Sequence, residues 1–400
     1  MLRIAGASKH VLVVFTVFTT CFVLFLLGRH DGNLVSPSPR LSRVARLATG
    51  RKGGRGLLDS VHNSTLGFEK VFVVGLPSRS DRRDGMALTA ALSDVQIEFM
   101  DGVLGSNVNI KAVPKHKTLD HIKDAELGSW RGHINAIREV VMRNLSSVLI
   151  LEDDVDWDIR LKDQLHDLAL STNALLQPLR GFPDRHADAT YPKRRQDESP
   201  PPEDIPFEDL PVTIPPKSSP YGDNWDVLWI GHCGMIFPRE KNDIPKGRVI
   251  HRDDVTVAPK RNLWLLTEPF TLKEKYPPHT RAVHHAEEGV CTLAYAISQA
   301  GARKILHELA LKPPTAAFDI LLRFFCDGTD GRAMHNCLGV TPGLFHHYRP
   351  AGKALDVSDI RDHDGDFRED AGSDIVRWSV RLNTPELLDG GTSFADQYPD

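Results

Sequence analysis

The stretch VLILEDDVDW, residues 148–157, places a buried-strand pattern directly before a concentration of negative charge. Four apolar residues run without a break into Glu152, Asp153 and Asp154, and Asp156 follows. Side chains alternate along extended backbone, so Glu152 and Asp154 are expected on one face and Asp153 on the other. Two carboxylates at the carboxyl end of a strand suit a hard divalent cation such as Mn²⁺ or Mg²⁺. A solvated loop whose acids cluster by chance explains the stretch equally well.

Strand-like and helix-like segments alternate on either side of this stretch. Apolar runs at 71–77 and 225–232 predict strands, and the apolar spacing of residues 134–143 predicts a helix. Residues 292–309 and 316–326 also predict helices. We therefore expect an α/β fold with a mostly parallel central sheet.

Composition and charge indicate only a broad class of protein. The chain has 400 residues, of which 41% are hydrophobic, and a net charge of −4. It can build a sizeable core, and its charge gives no sign of nucleic-acid binding. We expect a globular enzyme or binding protein without a nucleic-acid partner.

The N-terminal region differs from the rest. Residues 11–27 form a run of 17 residues without a charge, at the lower limit for a helix that spans a bilayer. A single transmembrane signal-anchor is predicted there, between a cytosolic tail at 1–10 and a flexible stem at 28–66. A cleaved signal peptide is the alternative. Sequons at Asn63 and Asn144 favour a luminal body, and hence a type II protein of the Golgi or endoplasmic reticulum membrane.

The body of the chain is expected at residues 67–350, followed by a C-terminal extension at 351–400. Residues 177–224 are rich in proline and charge, which predicts a disordered surface insertion.

Four cysteines lie beyond the apolar N-terminal run: Cys233, Cys291, Cys326 and Cys337. An even number in an oxidising compartment allows two disulfides, with three possible pairings. Four free buried thiols are the alternative.

Four regions, taken in order, resemble glycosyltransferase family 25, which includes lipooligosaccharide and procollagen galactosyltransferases. They are VFVVGLPSRSDRR at 71–83, AELGSWRGHINAI at 125–137, VLILEDDV at 148–155, and TLAYAISQAGARKIL with PPTAAFDILL within 292–322. The family usually has Asn where Gly75 stands, Gly at 125 and Ser at 132. These departures suggest a divergent member.

The resemblance implies a GT-A type nucleotide-sugar-binding fold whose acidic motif holds Mn²⁺ or Mg²⁺ against the diphosphate of a UDP-sugar. Asp154 would bind the metal directly, Glu152 would support it or contact the ribose, and Asp153 would orient the loop. A histidine late in the chain often completes such a metal shell. We assign His346 to it, with His347 as the neighbouring candidate.

Further contacts with the nucleotide-sugar donor are predicted along the first two motifs. Arginine forks suit phosphate, and residues seven apart on a helix share a side. A solvated turn and a structural histidine are the alternatives for these positions. With Asp153 from the acidic motif, the predicted donor-binding residues are Leu76, Arg79, Arg82, Glu126 and His133.

Asp319 is the predicted catalytic base. It lies in an apolar stretch, where an acid is costly unless it is used or paired. The alternative is an ion pair with Arg323, four residues further along the same helix face.

These residues predict metal-dependent transfer of a hexose, galactose or glucose, from a UDP-sugar to a glycan or glycoprotein acceptor, with inversion. A non-catalytic luminal binding protein of the same fold is the alternative function.

Overall fold

The computed structural model describes residues 56–114, 122–192, 203–353 and 367–400. Its helices are α1 Ser80–Leu92, α2 Asp124–Met142, α3 Leu161–Leu176, α4 Thr271–Lys275, α5 Gln299–Ile305, α6 Phe318–Asp327 and α7 Thr384–Leu388. Short 3₁₀ segments lie at Leu57–His62, Gly105–Asn107, Ile110–Ala112, Phe207–Asp209 and Lys260–Asn262, and a π-helical turn at Leu306–Ala310 continues α5.

The strands in chain order are β1 Lys70–Gly75, β2 Ile97–Asp101, β3 Ser147–Glu152, β4 Val155–Trp157, β5 Asp204–Pro206, β6 Val227–Gly231, β7 Gly234–Ile236 and β8 Arg248–His251. They continue with β9 Arg281–His285, β10 Glu287–Val290, β11 Ala294–Ser298, β12 Cys337–Thr341, β13 Phe345–Arg349, β14 Gly352–Lys353, β15 Phe367–Arg368 and β16 Gly372–Ser373.

Nine of these strands form one sheet, in the order β2-β1-β3-β11-β6-β12-β9-β8-β5. Strand pairs β1–β2, β1–β3, β6–β12 and β5–β8 are parallel. Pairs β3–β11, β6–β11, β9–β12 and β8–β9 are antiparallel. The sheet is therefore mixed, and the prediction of a mostly parallel sheet is wrong.

The main source of that error is the segment predicted as one helix at residues 292–309. Its first part is β11, which lies in the middle of the sheet between β3 and β6. Helix α5 begins only after Ser298, whose Oγ accepts a hydrogen bond from Gly301 N at 3.0 Å. A short apolar run fits a buried strand and a buried helix equally well, and here the sheet neighbours decide it.

Two hydrophobic layers cover the faces of the sheet. Along β1, Val71 and Val73 pack into one layer, whereas Phe72 and Val74 pack into the other. Helix α2 covers the second face, while α3 packs into the first layer. Because β1 and β3 are parallel neighbours, the residues that follow both strands meet at one edge of the sheet.

The fold-class prediction also includes a membrane helix and stem before the sheet. None of the helices in the described ranges has the length and apolar character needed to cross a bilayer. The predicted span at 11–27 lies outside those ranges. The predicted fold class, a mostly parallel sheet preceded by a membrane helix, is therefore wrong. The structure describes a mixed α/β unit.

The proline-rich region predicted to be a disordered insertion contributes structure to this unit. Asp204–Pro206 forms the edge strand β5, and Asp204 Oδ2 accepts a hydrogen bond from Tyr276 OH at 2.8 Å. Tyr221 is buried and stacks on Phe68 with ring centroids 4.7 Å apart. A few buried anchors order residues 203–224, while residues 193–202 lie outside the described ranges.

Candidate active site

A cleft of about 540 Å³ opens at the carboxyl ends of β1 and β3. Residues after β1 and β2 and at the start of α2 form its first wall. Residues after β6 and β10 and at the start of α6 form its second wall. Eight predicted site residues line this cleft: Leu76, Arg82, Glu126, His133, Glu152, Asp153, Asp154 and Asp319.

The acidic motif forms a tight turn at the floor of the cleft. Strand β3 ends at Glu152, Asp153 and Asp154 make the turn, and β4 begins at Val155. One ligand atom each from Glu152, Asp154 and His347 lies within 4.8 Å of the others. Asp153 does not belong to this group, and its Oδ1 lies 2.6 Å from Arg82 Nη1. Because Asp153 and Asp154 lie in a turn, the strand alternation assumed in the prediction ends at Glu152.

The donor set of this group fits a divalent metal. Asp154 Oδ1 is buried and has no hydrogen-bond partner within the described residues, which is costly for a carboxylate oxygen unless something else satisfies it. Burial alone would raise the pKa of Asp154, but His347, Arg82, Arg349 and Arg381 bring it below its usual value. An ionised carboxylate beside a second carboxylate and an imidazole suits Mn²⁺ or Mg²⁺.

The histidine in this group is His347, and the assignment of His346 needs correction. Adjacent residues of β13 point to opposite faces, so only one of the two can face the cleft. The Nε2 of His346 lies 3.0 Å from the Gly343 carbonyl oxygen, and burial lowers the pKa of His346 to about 3. His346 is thus a neutral core residue on the far side of the strand.

His133 and Thr292 fix the orientation of Glu152. Thr292 Oγ1 donates to Glu152 Oε1 at 2.7 Å, and His133 Nε2 lies 3.6 Å from the same oxygen. The Nδ1 of His133 lies 3.0 Å from Tyr295 OH, and the imidazole stacks on Phe318 with centroids 4.4 Å apart. When Nδ1 accepts from the Tyr295 hydroxyl, the proton of the imidazole lies on Nε2, the nitrogen next to Glu152.

Arg82 bridges the two other acids. It lies 2.6 Å from Asp153 Oδ1 and 3.3 Å from Asp154 Oδ2. Burial raises the pKa of Asp153 to about 6, although Arg82 opposes this shift. Asp153 also lies against Gly75, where a Cβ would be 2.7 Å from the Asp153 Cβ. Asp153 therefore occupies the space that a side chain at position 75 would fill.

The C-terminal extension holds the acidic turn from behind. Asp156, on β4, is fully buried, and its carboxylate accepts hydrogen bonds from the hydroxyls of Ser373 and Ser379. Arg381 donates from Nε to the Val155 carbonyl at 3.1 Å. Residues beyond position 351 thus hold the acidic turn in place, and no pattern in the sequence predicts these contacts.

Asp319 lies in the first turn of α6 and faces the cleft. Its Oδ2 accepts a hydrogen bond from Cys291 N at 2.9 Å. Arg323, the alternative partner, lies 3.1 Å from Glu288 and 3.5 Å from Asp327. The ion pair with Asp319 is therefore not the arrangement found.

Of the remaining predicted donor contacts, two line the cleft and one does not. Leu76 and Glu126 line the first wall, and Glu126 Oε2 accepts from Lys123 N at 3.2 Å at the start of α2. Arg79 lies outside the set of residues that line the cleft and contacts Asp81 at 2.8 Å.

The four cysteines form two disulfides, Cys233–Cys291 and Cys326–Cys337. The first lies in the second wall of the cleft, and Cys233 Sγ is 4.0 Å from His347 Nδ1. Two further cleft residues, Trp264 and Arg349, belong to none of the motifs identified in the sequence. They are identified as candidate site residues only because the fold places them in the same cleft as the acidic turn.

Comparison with known proteins agrees with this geometry. Residues 68–187 match the model of glycosyltransferase family 25, described as LPS biosynthesis protein. Over these residues the chain is similar to glycosyltransferase family 25. Procollagen galactosyltransferase 1-B of Xenopus laevis is 34% identical over 123 residues, which cover 26% of this chain and 20% of that protein.

Other relatives within the family carry different activity descriptions. Procollagen galactosyltransferase 2 of Homo sapiens is 27% identical over 114 residues, 26% of this chain and 18% of that protein. Inactive glycosyltransferase 25 family member 3 of Mus musculus is 28% identical over 163 residues, 38% of this chain and 26% of that protein. The aligned part of the chain spans between about a fifth and a quarter of the length of these relatives.

Proposed function

We propose that this protein is a metal-dependent glycosyltransferase that moves a hexose, galactose or glucose, from a UDP-sugar to a glycan or glycoprotein acceptor. The observation that carries the proposal is the group of Glu152, Asp154 and His347, with its unpartnered Asp154 oxygen, inside the cleft of a family 25 domain. The domain gives the reaction class, and this group supplies a reason for metal dependence.

Glu152, Asp154 and His347 would hold Mn²⁺ or Mg²⁺. Such an ion stabilises the negative charge that develops on a nucleoside diphosphate as it leaves. The protein's own contribution is to keep the ligands in place. Thr292 and His133 orient Glu152, while the buried contacts of Asp156 hold the turn that carries Asp154.

Arginine side chains supply the remaining positive charge for the donor diphosphate. Arg82 and Arg349 both line the cleft and both act electrostatically on Asp154. Their planar guanidinium groups can donate two hydrogen bonds to a phosphate. Leu76 and Glu126 complete the donor wall.

Asp319 is suited to act as the general base of an inverting transfer. The acceptor hydroxyl oxygen would attack the anomeric carbon as the bond to the UDP oxygen breaks, and Asp319 would take the hydroxyl proton. The carboxylate is fixed by Cys291 N–H through Oδ2, which leaves Oδ1 for the acceptor.

We place the described body in the lumen of the Golgi or endoplasmic reticulum. Two disulfides support an oxidising compartment. Both sequon asparagines, Asn63 and Asn144, are exposed on the surface.

A non-catalytic binding protein of the same fold is the second candidate, because relatives named as inactive align with this chain. UDP binding by calorimetry, together with UDP release from UDP-galactose and UDP-glucose, with Mn²⁺ or with EDTA, separates the two. If the protein is the proposed enzyme, both UDP binding and UDP release require Mn²⁺. Binding without any release supports the non-catalytic protein, and equal UDP affinity in EDTA contradicts the metal site.

A further inference from the structure

We propose that Trp264 is the platform on which a sugar ring of the acceptor lies, so that the acceptor is a glycan and not a bare polypeptide. The inference rests on the proposed glycosyl transfer and names the acceptor class for the same cleft.

Trp264 stands apart from the other tryptophans. All six lie in the described residues, and Trp130, Trp157, Trp225 and Trp229 are buried in the core, each at most 3% exposed. Trp378 is covered by guanidinium groups on its ring, with Arg160 at 4.0 Å. Trp264 is 41% exposed and lines the cleft. An exposed aromatic ring inside a ligand cleft is available surface for a ligand.

The loop that carries Trp264 is anchored on both sides of the ring. Leu263 is buried, and its carbonyl accepts a hydrogen bond from Lys273 Nζ at 2.6 Å. Leu266 N donates to the Cys233 carbonyl at 2.8 Å. Because both neighbours are fixed, the ring is presented in the free protein without a large ordering cost on binding.

The same loop is connected to the proposed base. Cys233, which accepts from Leu266, is disulfide-bonded to Cys291, and Cys291 N donates to Asp319 at 2.9 Å. Two hydrogen bonds and one disulfide thus connect the Trp264 loop to Asp319. A group lying on Trp264 would keep its position relative to Asp319, which an attacking hydroxyl requires.

The surroundings of Trp264 favour a sugar as the occupant. One face of a hexopyranose presents C–H groups that pack on an indole ring, while its rim presents hydroxyls. The indole shares the cleft with polar side chains, among them Asp319, whose Oδ1 is left for an acceptor hydroxyl. An apolar peptide side chain placed there would desolvate these groups without bonding them. Sugar hydroxyls can hydrogen-bond to them.

The position of Trp264 assigns it to the acceptor. The loop of Trp264 is connected through Cys233 and Cys291 to Asp319, whereas the proposed donor contacts Leu76 and Glu126 follow β1 and begin α2. The base must face the acceptor hydroxyl, so the platform connected to it serves the same substrate.

The test uses the full chain with UDP and Mn²⁺, titrated with methyl β-galactoside, methyl β-glucoside and a serine-containing peptide without sugar. Binding is measured by saturation-transfer NMR. Variants Trp264→Ala and Trp264→Phe are compared with the control Phe182→Ala, which removes a ring that is 56% exposed and lies outside the residues lining the cleft. Kinetics with the best hexoside then give separate donor and acceptor KM values.

We expect Trp264→Ala to weaken hexoside binding and raise the acceptor KM about tenfold, with a donor KM change below about threefold. Trp264→Phe should lose less than about threefold because it keeps a ring, and Phe182→Ala should match wild type. Unchanged hexoside binding in Trp264→Ala overturns the proposal. The proposal is also overturned if Trp264→Ala raises the donor and acceptor KM values equally. It is overturned as well if the protein binds the peptide and neither hexoside.

The hexoside titration does not need turnover. A wild-type protein that binds hexosides through Trp264 but releases no UDP would count against the proposed enzyme, and the acceptor-site inference would stand as a sugar-binding site.

Discussion

Gly75 and Asp153 share one space at the ends of two parallel strands. A Cβ at position 75 would lie 2.7 Å from the Asp153 Cβ and nearer still to its Oδ2. The buried Asp153 carboxylate, bonded to Arg82, fills the volume that a side chain at position 75 would need.

Gly75→Ala should destabilise the protein by about 1–3 kcal/mol, because the added methyl group forces Asp153 out of its place. Urea unfolding measures this change. The double variant with Asp153→Gly should recover most of the loss, since glycine removes the Cβ and the carboxylate that the added methyl group would meet. Additive effects of the two changes would contradict the shared space.

Asp154→Asn should lower UDP release by on the order of 10² or more, because it removes a charge from the proposed metal ligands. Asp153→Asn should cost much less, since Asp153 faces Arg82 and Gly75. Steady-state rates at matched thermal stability compare them. Equal losses would remove the distinction between the two acids.

His347→Gln should weaken Mn²⁺ binding at least about tenfold in calorimetry, while the unfolding midpoint changes little. His346→Gln should show the reverse pattern, lower stability with near-normal Mn²⁺ affinity, because His346 is a buried neutral residue bonded to Gly343. If His346→Gln were the variant that lost metal, the assignment of the β13 faces would be wrong.

Asp319→Asn should bind UDP and Mn²⁺ normally yet transfer almost nothing, because the amide cannot take the acceptor proton. It can still accept the hydrogen bond from Cys291 N. The comparison needs calorimetry for binding and product formation for transfer. Near wild-type transfer would exclude the base role, and lost donor binding would assign Asp319 to the donor instead.

Stability should depend on pH through His284. Burial lowers its pKa to about 3, so below the unfolded value of about 6.5 the unfolded chain takes up a proton that the folded protein does not. Its contribution to stability is complete above about pH 6.5 and is lost as pH falls towards 3.

Asp327 acts in the opposite direction, because burial raises its pKa to about 7. The useful quantity is therefore the difference in unfolding free energy between wild type and His284→Gln. When the pH is lowered from 6.5 to 5, we expect the unfolding free energy of wild type to fall by about 2 kcal/mol relative to that of His284→Gln. Urea titrations at the two pH values measure this change. A difference that is constant over this range would show that His284 does not titrate as described.

The sequence by itself determined the elements whose signals are local. The apolar run before Glu152 specified β3, the spacing of Ile134, Ile137 and Val140 specified the buried face of α2, and residues 316–326 specified α6. These patterns depend on neighbours one helical turn or two residues away, so they can be recognised without knowledge of the fold.

Tertiary structure decided what depends on distant partners. Residues 294–298 became a strand because β3 and β6 lie on either side of them. His347 joined Glu152 and Asp154 because β13 lies beside β4 with that face inward. Residues 373–381 reached the acidic turn from more than 200 positions away in the chain. Such contacts follow from how the strands are ordered in the sheet, and no periodicity in the chain encodes that order.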